Sequence, residues 1–314
     1  MKLDALVLNG GGILCCSYLG CLQYLFEEKL VKEDLSSLKE IYCLSGGIIY
    51  ILPLLLGFSL KETIEFFLKL DETKITPIES MSVRSLFENY GFFTNKYLSY
   101  CFKHILKHMG KSIHMTLKEL YELNSIRLIV KVVNISKNLE LFVDYKTHPD
   151  ITLITLLEMT TCIPLYFEPI KYKGDYYVDG GLTGRIIKKD IVSKNYLSIY
   201  NSYEEKHPRN LFEFFINVIF TAVERDTSDK KRELKIIHKK HDALSFEMGI
   251  KGKQELIQYG YVKMKEKISK LQDTPSVVPQ NHKRHQTMRK NSSEIVSHKW
   301  KSIVYHYLVS KNHP

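Results

Sequence analysis

Three glycine-bearing clusters hold the residue types from which chemistry could be built. Gly10-Gly11-Gly12 follows an apolar run, LDALVL, and precedes a stretch whose apolar residues recur at helical spacing over 18–26. Successive glycines let backbone N–H groups converge on an anion beside a helix N-terminus, whose dipole strengthens their pull. A dinucleotide fingerprint would want a small residue where Cys15 stands, and a phosphate loop would want Gly-Lys-Ser/Thr, so nucleotide binding finds little support. Cys43-Leu44-Ser45-Gly46-Gly47 is a variant of G-x-S-x-G. In a nucleophile elbow the serine occupies a strained turn, and the residues two before and two after it must be small. Gly47 meets that requirement, whereas Cys43 adds a side chain where glycine is usual. Val178-Asp179-Gly180-Gly181 sets a carboxylate at the end of a β-rich run, with glycines that allow close approach. Such an aspartate suits a general base, a metal ligand or a plain turn. Each cluster alone also fits an ordinary loop; the three together make a more specific pattern.

The elements that must position these residues follow from hydrophobic periodicity. Residues 3–8 and 41–44 read as short strands, each followed by a glycine turn and a helix, the second helix running to about Leu56. Two strand-turn-helix units in sixty residues imply a parallel sheet with helices on its faces. Residues 60–124 read as helices broken at Tyr90-Gly91-Phe92-Phe93, and 154–161 as a further helix. Residues 127–133, 140–145, 172–178 and 196–200 are β-rich. After Pro208 the pattern predicts an apolar helix (LFEFFINVIFTAV), a basic helical stretch (KKRELKIIHKKHD) and a closing helix (KQELIQYGYVKMKEKI). The expected organisation is therefore one domain over 1–272, a basic polar linker over 273–293 with the composition of disorder, and an amphipathic helix or tail over 294–314 carrying Trp300. Residues 41–60 are uncharged and long enough to span a bilayer, but Gly46, Gly47 and Pro53 favour a buried strand, turn and helix.

At this point the chain resembles the patatin-like phospholipase family. The resemblance covers about residues 3–270 and rests on NGGGILCCSYLGCLQYL, YCLSGGII, TTCIPLYFEP and YYVDGGL, with LSFEMGIKGKQELIQYGYVKMKEKI similar to the family's closing helix. It implies a three-layer α/β/α fold around a mostly parallel sheet, and lipid acyl hydrolysis through an acyl-enzyme with no cofactor and no metal. It further implies Ser45 as nucleophile on an elbow formed with Cys43, Gly46 and Gly47, and Asp179 as its base on a loop with Gly180 and Gly181. Gly10, Gly11 and Gly12 would supply the oxyanion hole, and a phospholipid or lysophospholipid would be the substrate. Four positions depart from the family's pattern: Leu14 and Cys15 replace a basic residue and a glycine, Cys43 replaces a glycine, and Thr183-Gly184-Arg185-Ile186 stands where Asn and Pro are frequent. None of these removes a catalytic atom. A weak or inactive relative that binds lipid at a membrane remains an alternative, as does an α/β-hydrolase-type esterase using His207, His238 or His241 in a Ser-Asp-His triad.

Composition narrows the partners. The chain has 314 residues, 44% hydrophobic and 25% charged, which excludes a disordered, collagenous or coiled-coil protein. Its formal charge of +10 is concentrated: residues 225–314 carry net +11 and residues 1–224 net −1. No nucleic-acid module or basic-aromatic interleaving accompanies the charge, so an anionic membrane surface is the expected partner and nucleic acid is not. His104 and His108 share a helix face without the carboxylates a metal site would need. Six cysteines, two adjacent at Cys15 and Cys16, give no disulfide framework, and the first residues lack a signal-peptide core. The expected setting is cytoplasmic, peripheral at membranes.

Overall fold

All four residues of β1 (Ala5–Leu8) are fully buried, as in a parallel strand covered on both faces. The computed structural model describes residues 2–76, 81–184, 186–187, 191–203, 208, 214, 217–218 and 232–272. In chain order the elements are β1, α1 (Ser17–Glu27), β2 (Glu40–Leu44), α2 (Gly46–Leu55), α3 (Leu60–Lys69), α4 (Val83–Asn89), β3 (Gly91–Phe93), α5 (Lys96–His108) and α6 (Leu117–Asn124). They continue with β4 (Arg127–Asn134), β5 (Leu139–Val143), α7 (Leu153–Thr161), β6 (Leu165–Phe167), β7 (Ile170–Tyr172), β8 (Asp175–Asp179), β9 (Tyr196–Tyr203), β10 (Glu233–His238) and α8 (Gly249–Gln272). Met1–Asp273 forms one unit and Thr274–Pro314 another. The expected linker at 273–293, the tail at 294–314, most of the apolar helix at 211–223, Arg185 and His207 lie outside the described residues.

The fold is α/β, with a central, mostly parallel sheet in the order β10-β9-β1-β2-β4-β8-β7 and β5 added to β4. The pairs from β10 through β4 are parallel, whereas β5, β7 and β8 join antiparallel. The register around β4 decides where the site forms. One edge of β4 pairs with β5 over Val130–Asn134. The other edge is shared end to end: β2 occupies Arg127 to Lys131, with Leu44 opposite Lys131, and β8 occupies Val132 to Asn134, with Asp179 opposite Val132. The two strands run toward each other and their C-terminal ends meet.

Side chains alternate between two cores. Leu6, Leu8, Ile41, Cys43, Leu128, Val130 and Val132 face the larger one with α1, α2, α7 and α8, while Ala5, Val7, Tyr42, Leu44 and Ile129 face a smaller one with Ile187. Helix α8 lies directly on α1. A Cβ on Gly20 would sit 1.8 Å from the Ile257 carbonyl oxygen and one on Gly260 1.9 Å from that of Ser17, so glycine is required on both helices. Capping boxes start α3 (Ser59 with Glu62) and α6 (Thr116 with Glu119), satisfying first-turn N–H groups.

Three expectations change on folding. The stretch KKRELKIIHKKHD holds β10, not a helix: Leu234, Ile236 and His238 are buried while Lys235 and Ile237 are exposed, a period of two that the flanking lysines obscured. The single strand expected at 172–178 is a β7–β8 hairpin, because Lys173 (φ 48°) and Gly174 (φ 88°) form a left-handed two-residue turn. The break at 90–93 contains β3, which pairs with β6 in a small separate sheet. The apolar stretch 41–60 is β2, the turn and α2, and no described helix is long and apolar enough to cross a membrane.

One buried ion pair ties the segment just after α3 to the closing helix. Lys253 of α8 is 1% exposed; its Nζ donates to both Glu72 carboxylate oxygens (2.8 and 3.0 Å) and to the carbonyls of Phe67 and Leu70 at the end of α3. Removing one partner would strand a buried charge. Lys253→Met is expected to lower the unfolding free energy by about 3–5 kcal/mol in denaturant titration, and adding Glu72→Gln should restore part of the loss.

Candidate active site

Ser45 is the hinge between β2 and α2 and has φ 50°, ψ −129°, outside the regions ordinary side chains adopt. Such strain persists only where the surroundings over-determine it, and here they do. The Ser45 N–H donates to Thr160 Oγ1 (3.0 Å), which in turn donates to the Lys131 carbonyl on β4 (2.9 Å). Gly46 and Gly47 follow because there is no room for more: a Cβ would lie 2.6 Å from the Gly12 carbonyl oxygen and 2.1 Å from that of Leu8, respectively. The Ser45 side chain does not cap α2. It lies instead beside the Asp179 carboxylate, close enough to lower the pKa of that group.

Asp179 reaches that hydroxyl because β8 ends where β2 ends. Gly180 touches both: an added Cβ would lie 2.6 Å from the Lys131 carbonyl and 2.8 Å from Leu44 Cδ1. The Gly181 N–H donates to Asp179 Oδ1 (2.7 Å), and the Asp179 N–H donates to the Cys162 carbonyl (2.8 Å). Burial pushes the Asp179 carboxyl up from 3.8 to about 6, against the lowering effects of the neighbouring Ser45 hydroxyl, the Gly181 N–H and the Lys131 ammonium. A serine hydroxyl beside a buried carboxylate of that basicity is the pairing from which general-base activation of a nucleophile can be built.

The glycine turn packs against the elbow. A Cβ on Gly10 would lie 3.3 Å from Ser45 Cβ, and Gly12 (φ 54°) approaches the Ala243 carbonyl so closely that a side chain could not fit. The N–H groups of Gly10, Gly11 and Gly12 donate to no acceptor among the described residues. Asn9 anchors the turn: its Nδ2 donates to Ser198 Oγ (2.9 Å) and the Ile199 carbonyl (3.0 Å), its Oδ1 accepts from the Ile187 N–H, and its carbonyl accepts from Tyr18 OH (2.8 Å). Three of the departures from the family pattern are core residues. Leu14, Cys15 and Cys43 are fully buried, and burial pushes the Cys15 thiol up to about 12, so it stays protonated. All six cysteines are free and buried.

Among the described residues no histidine hydrogen-bonds Ser45 or Asp179. His238 Nε2 bonds Asn201 Oδ1 (2.7 Å), an atom that also accepts from Ser17 Oγ (3.1 Å). Burial pushes the His238 imidazole down to about 4, so it is neutral and acts as donor to the amide oxygen. The His104 ring lies against Tyr100 and the His108 ring against Phe58, and among the described residues no group of three His, Cys, Asp or Glu could hold a metal ion. Reasoning from sequence missed Asn9, Thr160, Lys131 and Asn201. Thr160 lay within the quoted TTCIPLYFEP segment, the one signal available for it.

Comparison with known proteins agrees with this geometry. The family model described as patatin-like phospholipase matches residues 6–186. A probable lipid hydrolase of Invertebrate iridescent virus 6 is 30% identical over 182 residues, 56% of this chain, and the chain spans only 59% of that protein's length. An uncharacterized protein of Acanthamoeba polyphaga mimivirus is 22% identical over 290 residues, covering 86% of this chain and 95% of its own. The crystal structure of VipD from Legionella pneumophila superposes with a TM-score of 0.60 at 16% identity, covering 86% of this chain and 67% of that one, a likeness of fold. With the glycine turn, the elbow and the Asp-Gly-Gly loop all inside a match that takes in more than half of its residues, the chain belongs to the patatin-like phospholipase family.

Proposed function

We propose that the protein is a lipid acyl hydrolase that cleaves the ester bonds of phospholipids or lysophospholipids with Ser45 and Asp179. The observation that carries this reading is the meeting of β2 and β8 on β4, which sets a strained elbow serine beside a buried carboxylate. Ser45 Oγ attacks the ester carbonyl while Asp179 takes its proton, and the tetrahedral oxyanion is held by N–H groups of Gly10, Gly11 and Gly12 at the head of α2. The Ser45 N–H is already committed to Thr160 and is not one of the donors. Collapse expels the alcohol, the lysolipid or glycerol part, which leaves with the proton from Asp179. Water then attacks the acyl-enzyme, giving its proton to Asp179; that proton returns to Ser45 Oγ as the fatty acid leaves. The scheme calls on no cofactor. The reading includes a cytoplasmic protein peripheral at membranes, with the basic C-terminal third meeting an anionic surface; within that third, 225–231 and 273–314 lie outside the described residues.

Ser45→Ala and Asp179→Asn are each expected to reduce fatty-acid release from phospholipid by at least about 10³-fold. His238→Gln and His241→Gln should stay within a few-fold of wild type, and loss of activity in either, with folding intact, would favour a Ser-Asp-His triad. Wild-type protein that binds vesicles yet releases fatty acid from no phospholipid or short-chain ester would favour the lipid-binding alternative.

Because Asp179 must be ionised to accept the proton, kcat/KM should fall about tenfold per unit below an apparent pKa near 6. The same raised value has a consequence for stability. A carboxyl that holds its proton more tightly folded than unfolded weakens the fold as pH rises from about 4 to 6, and the cost persists above that range. Asp179→Asn should therefore raise the unfolding free energy at neutral pH by roughly 1–3 kcal/mol while abolishing turnover.

A further inference from the structure

Helix α4 is held by a polar side and leaves an apolar stripe in solvent, with only Ser85 and Leu86 half-buried. Ser85, half-buried, and Asn89, exposed, one turn apart, both bond Glu168 Oε1, at 2.8 Å from Ser85 Oγ and 3.1 Å from Asn89 Nδ2. The opposite stripe, Val83, Phe87 and Tyr90 at i, i+4 and i+7, points to solvent at 58%, 77% and 58% exposure, and Met81 just before the helix is 53% exposed. No residue of α4 is buried. An amphipathic helix in water ordinarily turns its apolar stripe inward, so a stripe held outward by polar anchors on the other side marks a contact surface.

The surroundings indicate what the contact is with. Tyr90 meets Tyr176 edge-on, with ring centroids 6.2 Å apart, so the stripe continues onto the β7–β8 hairpin. There Lys171 and Lys173 are exposed, their ammonium groups 5.9 and 5.3 Å from the rings of Tyr176 and Tyr172, and neither pairs with a carboxylate among the described residues. Aliphatic and phenyl groups flanked by tyrosines and exposed lysines match the layering of a lipid interface, acyl chains under phosphates. Position agrees as well. Tyr177 pairs with Asn134, the last residue of β4, so the hairpin projects beyond the C-terminal ends of the parallel strands. That is the side on which Ser45 stands, and where open α/β sheets meet their ligands. The chain from α4 runs straight into β3, which pairs with β6, only three residues after the Cys162 carbonyl that holds Asp179.

We propose that Met81, Val83, Phe87 and Tyr90, with Lys171 and Lys173 at the rim, form the surface by which the protein seats on a lipid bilayer with Ser45 facing it. The choice of occupant rests on the lipid-hydrolase reading. None of these six residues belongs to the basic C-terminal third.

The test uses the full chain with vesicles of equal parts phosphatidylcholine and phosphatidylglycerol. Val83→Asp/Phe87→Asp is expected to weaken co-sedimentation with vesicles about tenfold or more and to slow release of vesicle fatty acid in step, with turnover of a soluble short-chain ester unchanged. Lys171→Glu/Lys173→Glu should weaken binding at low salt and less so at high salt. Phe87→Trp should show a blue-shifted fluorescence gain on adding vesicles, above the background of Trp300. Vesicle binding unaltered in the aspartate variant would overturn the proposal. So would a wild-type dimer that the aspartate variant dissolves, since the stripe would then join two copies. If wild type cleaves neither substrate but vesicle binding still depends on Phe87, the hydrolase reading fails and the docking surface stands.

Discussion

The structure depends on one arrangement of strands: β2 and β8 share a single edge of β4 and meet head-on. Leu44 opposite Lys131 and Asp179 opposite Val132 are consecutive positions on that edge. A parallel strand entering from one end and an antiparallel strand from the other bring two C-terminal residues together with no loop needed to span the gap. Everything near the meeting point is then short of space. Gly46, Gly47 and Gly180 each face a backbone carbonyl too close for any Cβ, and Ser45 accepts an unfavourable backbone conformation because the strand before it and the helix after it are both fixed.

The same crowding sets the electrostatics. With Ser45 9% and Asp179 4% exposed, water contributes little, and the carboxylate relies on the Ser45 hydroxyl, the Gly181 N–H and the field of Lys131. Lys131 is itself buried and tied to the Gly184 carbonyl (3.0 Å) and Glu140 (2.8 Å), so the loop after Asp179 is pinned from β4 and β5. On the other side Asn9, with every polar atom bonded, holds the glycine turn to β9. The site is thus a set of backbone and side-chain dipoles fixed before any substrate arrives, the condition under which electrostatic stabilisation is effective.

Farther out, the helices divide the labour. The glycine-to-backbone contact of α1 with α8 and the Lys253–Glu72 pair close the back of the sheet, using close packing and a fully bonded buried charge. The front is treated differently. Helix α4 is attached through Ser85, Asn89 and Glu168 and leaves its apolar stripe exposed to solvent.

The first two strand-turn-helix units, the helices over 60–124 and the closing helix were legible because each depends on local periodicity and on glycines at fixed places. The hairpin at 173–174 and β10 were not. A Lys-Gly turn is weakly marked, and lysines on the exposed face of β10 made an alternating strand look like a basic helix. The three clusters could be named from the chain as candidates, since small residues around a serine and an aspartate are a local requirement of tight turns. Which atoms meet was not local. Ser45 is bonded to Thr160, 115 residues away, and lies beside Asp179, farther still. The outward stripe of α4 has the same sequence pattern as a buried one. Residue types and turns were thus determined by the sequence itself; the pairing across β4, the basicity of Asp179 and the facing of α4 were decided by tertiary structure, because register, burial and orientation are properties of contacts between distant segments.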